Sequence, residues 1–194
     1  MKPLLAAVCI ALGCAAVAAP AASAGLALKA GVFEPPRLAP ELALRGSDGQ
    51  ELKLARYRGK AVLMSFGFSS CPAVCPTTLA TLAQARKLMG PQADAVQVIF
   101  VTVDPERDDP ARLKTYLSAF DPAFIGATGK PEALDAVRKA YGVSARKVAM
   151  SDGYLFDHSS SIFLIDPEGR LRGMMPYGRE AKDFVHDVKL LLAK

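Results

Sequence analysis

Two stretches dictate what this chain folds into. Ala61 to Phe66 (AVLMSF) and Val96 to Val103 (VQVIFVTV) are short, almost wholly apolar runs, the pattern of strands covered on both faces. Between them the chain turns through Gly67 to Cys75 and enters a helix near Thr77. Leu79, Leu82, Ala83 and Leu88 read as the apolar side of that helix, with Gln84, Arg86 and Lys87 away from it, and Gly90-Pro91 ends it.

The remaining elements fall in around this centre. Leu42 to Leu44 and Leu52 to Leu54 flank Gly46-Ser47-Asp48-Gly49, a β-hairpin signal. Asp109-Pro110 reads as an N-cap followed by the first residue of a helix running to about Phe120. A short strand is expected at Phe124 to Gly126. A helix follows from Lys130-Pro131, with Leu134, Val137 and Tyr141 on its apolar side. Ser161 to Ile165 is a further strand, turning through Asp166-Pro167-Glu168-Gly169 into Arg170 to Met174. Arg179 to Lys194 reads as an amphipathic helix with Phe184, Val185, Val188, Leu191 and Leu192 inward. Hairpin, strand, helix, strand, two helices, hairpin and helix describe an α/β fold of the thioredoxin type, a central mixed sheet flanked by helices with an N-terminal β-hairpin.

Residues 1–24 are expected to be removed or modified before folding. Leu4 to Ala19 is an unbroken run of apolar or small residues behind Lys2, and Ala22-Ser23-Ala24 fits a signal-peptidase site. The competing readings are an uncleaved anchor and a lipoprotein signal, since Ala11-Leu12-Gly13-Cys14 resembles a bacterial lipidation site. Residues 25–40, with three prolines and no periodicity, read as a spacer, and residues 41–194 as one domain. The protein is therefore placed outside the cytoplasm, in the periplasm or on the outer face of the cytoplasmic membrane, with membrane association only through its N-terminus.

Composition removes several function classes. At 51% hydrophobic and 22% charged the chain is not disordered, and four cysteines are too few for a disulfide scaffold. A net charge of +5 is scattered, without the clustered cations that track nucleic acid. With Cys9 lost and Cys14 lost or lipidated, the domain keeps two thiols, Cys71 and Cys75.

Those two carry the chemistry. A C-x-x-x-C spacing at the start of a helix puts both sulfurs on one face, about 6 Å apart at Cα, able to form a disulfide when oxidised and a two-sulfur chelate when reduced. Amides at a helix N-terminus favour thiolate. A purely stabilising disulfide is the blander reading, but closing so small a loop removes little unfolded-state entropy. His158, in Asp157-His158-Ser159 just before the SIFLI strand, occupies a loop that faces the cysteine-bearing helix end in a thioredoxin-type sheet. Two thiolates and one imidazole make a soft set suited to copper(I) and able to hold copper(II). His186 reads as a solvated helix histidine, and Met174 and Met175 as packing residues rather than thioether ligands. Asp104, Glu106, Arg107, Asp108 and Asp109 form a charged loop read as capping and solvation, with a docking surface as the alternative.

In order along the chain, FGFSSCPAVCPTTL (66–79), VDPER (103–107), FIGATG (124–129), Asp157-His158-Ser159 and LIDPEG (164–169) resemble the Sco/SenC family of copper-binding, thioredoxin-fold proteins from about residue 40 onward. The resemblance implies copper on Cys71, Cys75 and His158. It also implies supply of copper to, or reduction of the cysteines of, the binuclear copper centre of cytochrome c oxidase. Partners would be the copper-centre subunit of a respiratory oxidase, a thiol reductant and another copper donor. One departure is Ala73, where the family usually has Asp between the cysteines. The alternative is an exported thiol-disulfide oxidoreductase or thiol peroxidase, with Cys71 attacking and Cys75 resolving.

Overall fold

The computed structural model describes residues 27–193. The readings of residues 1–24, including Cys9 and Cys14, lie outside these. Among the described residues no helix is long and apolar enough to cross a membrane.

The two apolar runs become β4 (Ala61–Gly67) and β5 (Val96–Thr102), every residue of both buried. They pair in parallel in unbroken register from Ala61↔Val96 to Gly67↔Thr102. Around them an eight-stranded mixed sheet is ordered β1-β10-β9-β4-β5-β6-β2-β3. β6 (Ile125–Thr128) lies parallel to β5, while on the other side β9 (Ile162–Ile165) pairs antiparallel with β4 and β10 (Arg170–Met175) antiparallel with β9. The expected first hairpin is β2 (Leu44–Gly46) with β3 (Glu51–Leu52), paired Leu44↔Leu52.

Alternation along the strands sorts the helices onto faces. α1 (Val74–Met89) and α4 (Ala181–Leu192) pack together on the face to which Ser65 and Gly67 point. α2 (Pro110–Ser118) covers the same face over β6, where Gly126 lets the backbone approach Leu113, since an added Cβ would stand 2.7 Å from that side chain. α3 (Pro131–Tyr141) covers the opposite face, Tyr141 stacking tilted or edge-on against Phe66 and Phe163. Asp109 caps α2 as expected, its carboxylate accepting from the Arg112 N–H.

Two expectations are corrected, and one element is new. The segment read as a spacer is in large part an edge strand, β1 (Gly31–Leu38), paired antiparallel with β10. Its prolines are tolerated because an edge strand needs only part of its ladder, and the register breaks between Val32 and Arg37. Asp187 of α4, fully buried, ties the entry to this strand by accepting from the N–H groups of Lys29 and Ala30.

On α1, Leu88 is 57% exposed whereas Arg86 is buried. Nine residues from Leu79 is half a turn off its face, while seven residues brings Arg86 back onto it. There its guanidinium pairs with Asp121 at 2.8 Å and donates to the carbonyls of Ala93 and Val96.

Finally, β7 (Ala145–Met150) and β8 (Gly153–His158), not anticipated, form a two-stranded sheet separate from the main one.

Candidate metal centre

The site lies where β4 gives way to α1. β4 ends at Gly67, the buried Phe68 anchors the turn, and residues 69–73 lead into the helix. Cys71 therefore precedes α1 instead of sharing its first turn, and only Cys75 is helical. The two still converge, because the turn folds the Cys71 Sγ back over the helix end, where it accepts the Cys75 N–H at 3.4 Å. Ala73 occupies the N-cap and provides no side-chain acceptor, so the Cys71 sulfur satisfies one of the first-turn amides instead.

Both cysteines are free thiols, Cys71 half-buried and Cys75 buried. Gly67 is what lets Cys75 sit there. A Cβ on Gly67 would stand 2.7 Å from the Cys75 Sγ and 2.7 Å from the Phe100 ring. Burial pushes the Cys75 thiol well above its ordinary range, and the neighbouring Cys71 adds to this. The helix-terminus argument for a ready thiolate is thus overridden at Cys75 by desolvation.

His158 arrives as the last residue of β8, not from a free loop. Its Nδ1 lies 2.8 Å from the carbonyl oxygen of Ser159. A carbonyl only accepts, so Nδ1 carries a hydrogen and Nε2 is the nitrogen turned to the cysteines. That Nε2 is 3.6 Å from the Cys75 Sγ. The ring is held edge-on to Phe68, centroids 5.9 Å apart. The ligand atoms of Cys71, Cys75 and His158 lie within 4.8 Å of one another. Two sulfurs and one imidazole nitrogen, partly accessible and backed by Phe68 and Phe100, fit a soft thiophilic ion such as copper.

The other candidates fall elsewhere. His186 is exposed on α4 and contacts Asp187. Met175 is a core residue, and Met174 is exposed on β10.

Sequence reading missed how the charged loop serves the site. Asp108 is fully buried and accepts from the N–H and hydroxyl of Ser69, two residues before Cys71, and from the Thr102 hydroxyl. Asp104, also buried, accepts from Arg107 and from the Tyr154 hydroxyl. The loop's five charged residues were visible in the sequence; the burial of Asp104 and Asp108 was not.

Comparison with known proteins places the chain. The sequence model of the SCO1/SenC family matches residues 33–193. The mitochondrial SCO2 homologue of Mus musculus is 37% identical over 157 residues, covering 79% of this chain and 62% of the mouse protein. The chain thus spans less than two thirds of that relative's length. The structure of Bradyrhizobium japonicum ScoI with copper bound superposes with a TM-score of 0.74 at 38% identity, covering 80% of this chain and 99% of that one. Arabidopsis thaliana ScoI with copper bound gives 0.74 at 30% identity, covering 81% and 99%. The thioredoxin-like α/β fold expected from the sequence is the fold these structures share with it.

Proposed function

The chain belongs to the SCO1/SenC family, and we propose that it is an exported copper metallochaperone that supplies the binuclear copper centre of cytochrome c oxidase during assembly. The observation that carries this is the convergence of the Cys71 and Cys75 sulfurs with the His158 Nε2 within 4.8 Å. Copper is the cargo. Cys71 and Cys75 lose their protons to become its thiolate ligands, and His158 offers Nε2 while Nδ1 donates to the Ser159 carbonyl. Cys75 is buried and holds the ion from beneath, while Cys71 and His158 are part-exposed and form the rim that a recipient's ligands can reach.

Export follows from the N-terminal signal reading. In an oxidising compartment Cys71 and Cys75 pass to a disulfide, which cannot chelate, so loading calls for a thiol reductant. The partners in this reading are that reductant, a copper donor, and the copper-centre subunit of an oxidase. The same dithiol could instead reduce that subunit's cysteines, two electrons passing to the partner disulfide as Cys71 and Cys75 oxidise. Cys71, the more exposed thiol, is the one placed to attack.

Copper titration of the reduced protein tests the reading. The expected result is a single copper per chain, sulfur-to-copper charge-transfer absorption in the copper(II) form, and loss of tight binding in Cys71→Ala, Cys75→Ala and His158→Ala. The oxidised protein is expected not to load. Equal binding by oxidised and reduced forms, or binding unchanged in His158→Ala, overturns it in favour of the oxidoreductase.

A further inference from the structure

The three ligands are carried by two bodies. Cys71 and Cys75 belong to the β4–α1 junction of the main sheet, whereas His158 ends β8, whose hairpin forms no ladder with that sheet. A two-stranded hairpin alone is marginally stable, so side chains must hold it in place. Tyr154 of β8 is where they gather. Its hydroxyl lies 3.0 Å from Asp104 Oδ1 and 3.1 Å from Glu106 Oε2. The Arg107 guanidinium stands 3.9 Å and the Lys147 ammonium 3.7 Å from its ring centroid. Arg107 also pairs with Asp104, and Lys147 reaches Glu106 at 2.7 Å. Asp104 is 1% exposed, and a buried carboxylate that loses a donor costs free energy, which draws both Tyr154 and Arg107 onto it.

The same loop grips the other body. Four residues on, Asp108 holds Ser69 at the base of the cysteine turn, and the Thr102 hydroxyl links the two acids by donating to Asp108 and accepting from the Asp104 N–H. Phe68 completes the contact, its ring touching Phe156 and His158 at centroid distances of 5.8 Å and 5.9 Å.

We propose that the β5–α2 loop, residues 104–108, sets the spacing of the metal centre, and that Tyr154 is a positioning residue that acts through His158. This rests on the reading of His158 as a copper ligand. Asp108 fixes the cysteine turn and Asp104 with Arg107 fixes the histidine hairpin. The distance between the sulfurs and the imidazole is therefore decided by one short segment that contains no ligand.

The test is Tyr154→Phe, which removes one oxygen and keeps the ring under Arg107 and Lys147, made in the unaltered chain and in His158→Ala. Copper(I) affinity by chelator competition is expected to fall about tenfold in the first background, the usual cost of losing a group that orients a ligand. In His158→Ala the same change is expected to do nothing. Nitrogen hyperfine coupling in the copper(II) spectrum should weaken in Tyr154→Phe while the accessible thiol count stays the same. An equal loss in both backgrounds, or none in either, overturns the proposal. Hydrogen exchange without copper judges the clasp separately. Faster exchange across residues 145–158 with α1 unchanged supports it, and unchanged exchange overturns it. Failure of the unaltered chain to bind copper would overturn the functional reading and leave that exchange measurement to decide the clasp.

Discussion

At Gly67 the site meets a constraint that no side chain can satisfy. The space a Cβ would fill is already taken by the Cys75 sulfur and the Phe100 ring, both at 2.7 Å. Gly67→Ala is therefore expected to destabilise the protein by about 2 kcal/mol, in the range of overpacked cores, and to weaken copper binding by displacing Cys75. Urea denaturation and copper competition read the two effects; full stability with intact binding would show that the contact relaxes freely. Cys71 and Cys75 were legible by type and spacing, and His158 by its place before a strand of a thioredoxin-type sheet; the structure brings the three together. Gly67 was not legible, because its meaning comes from Phe100, thirty-three residues away and adjacent only through β-pairing. Which histidine nitrogen faces the cysteines was equally hidden, since it depends on where the Ser159 carbonyl points.

Among the elements, the β5–α2 loop, expected to cap and be solvated, does cap α2 through Asp109 but also turns two acids inward to hold the cysteine turn and the β7–β8 hairpin. Strand periodicity ends at Val103, and five acidic or basic residues in the next six give no sign of which side chains turn inward. Asp104 and Asp108 do, and Asp109 caps α2 as its sequence context predicted. Asp108→Ala strips an acceptor from two Ser69 donors and the Thr102 hydroxyl. Its expected cost is on the order of 3 kcal/mol in chemical denaturation, with the cysteine turn loosened before the sheet opens. Uniform loss of amide protection, with no early release of residues 68–73, would count against that order. The β7–β8 hairpin escaped notice for a related reason. Its burial pattern is intermediate and exposed throughout, so it lacks the apolar alternation that betrays a strand packed on a core.

For the molecule as a whole, the buried Cys75 thiol links folding, pH and cargo. Burial raises it above its ordinary range, so the folded protein holds that proton to higher pH than the unfolded chain does. Metal-free stability is then full below the unfolded cysteine range and declines as pH rises through it. Copper binding runs the other way: the thiols must release protons, so affinity falls as pH falls. Denaturation midpoints of the metal-free protein and copper(I) competition, each measured across pH, should show these opposite slopes, and parallel slopes would remove Cys75 as the coupling group. What the sequence determined by itself was the two apolar strands, the main helices with the Asp109 cap of α2, and the Cys71, Cys75 and His158 set as candidate soft ligands, because these follow from local periodicity, turn chemistry and residue type. Tertiary structure alone decided that Cys71 caps α1 from outside it, that residues 31–38 complete the sheet, and that one acidic loop spaces the ligands. Each of these depends on partners distant in the chain, and the strength of a buried charge or a glycine contact exists only once those partners are brought together.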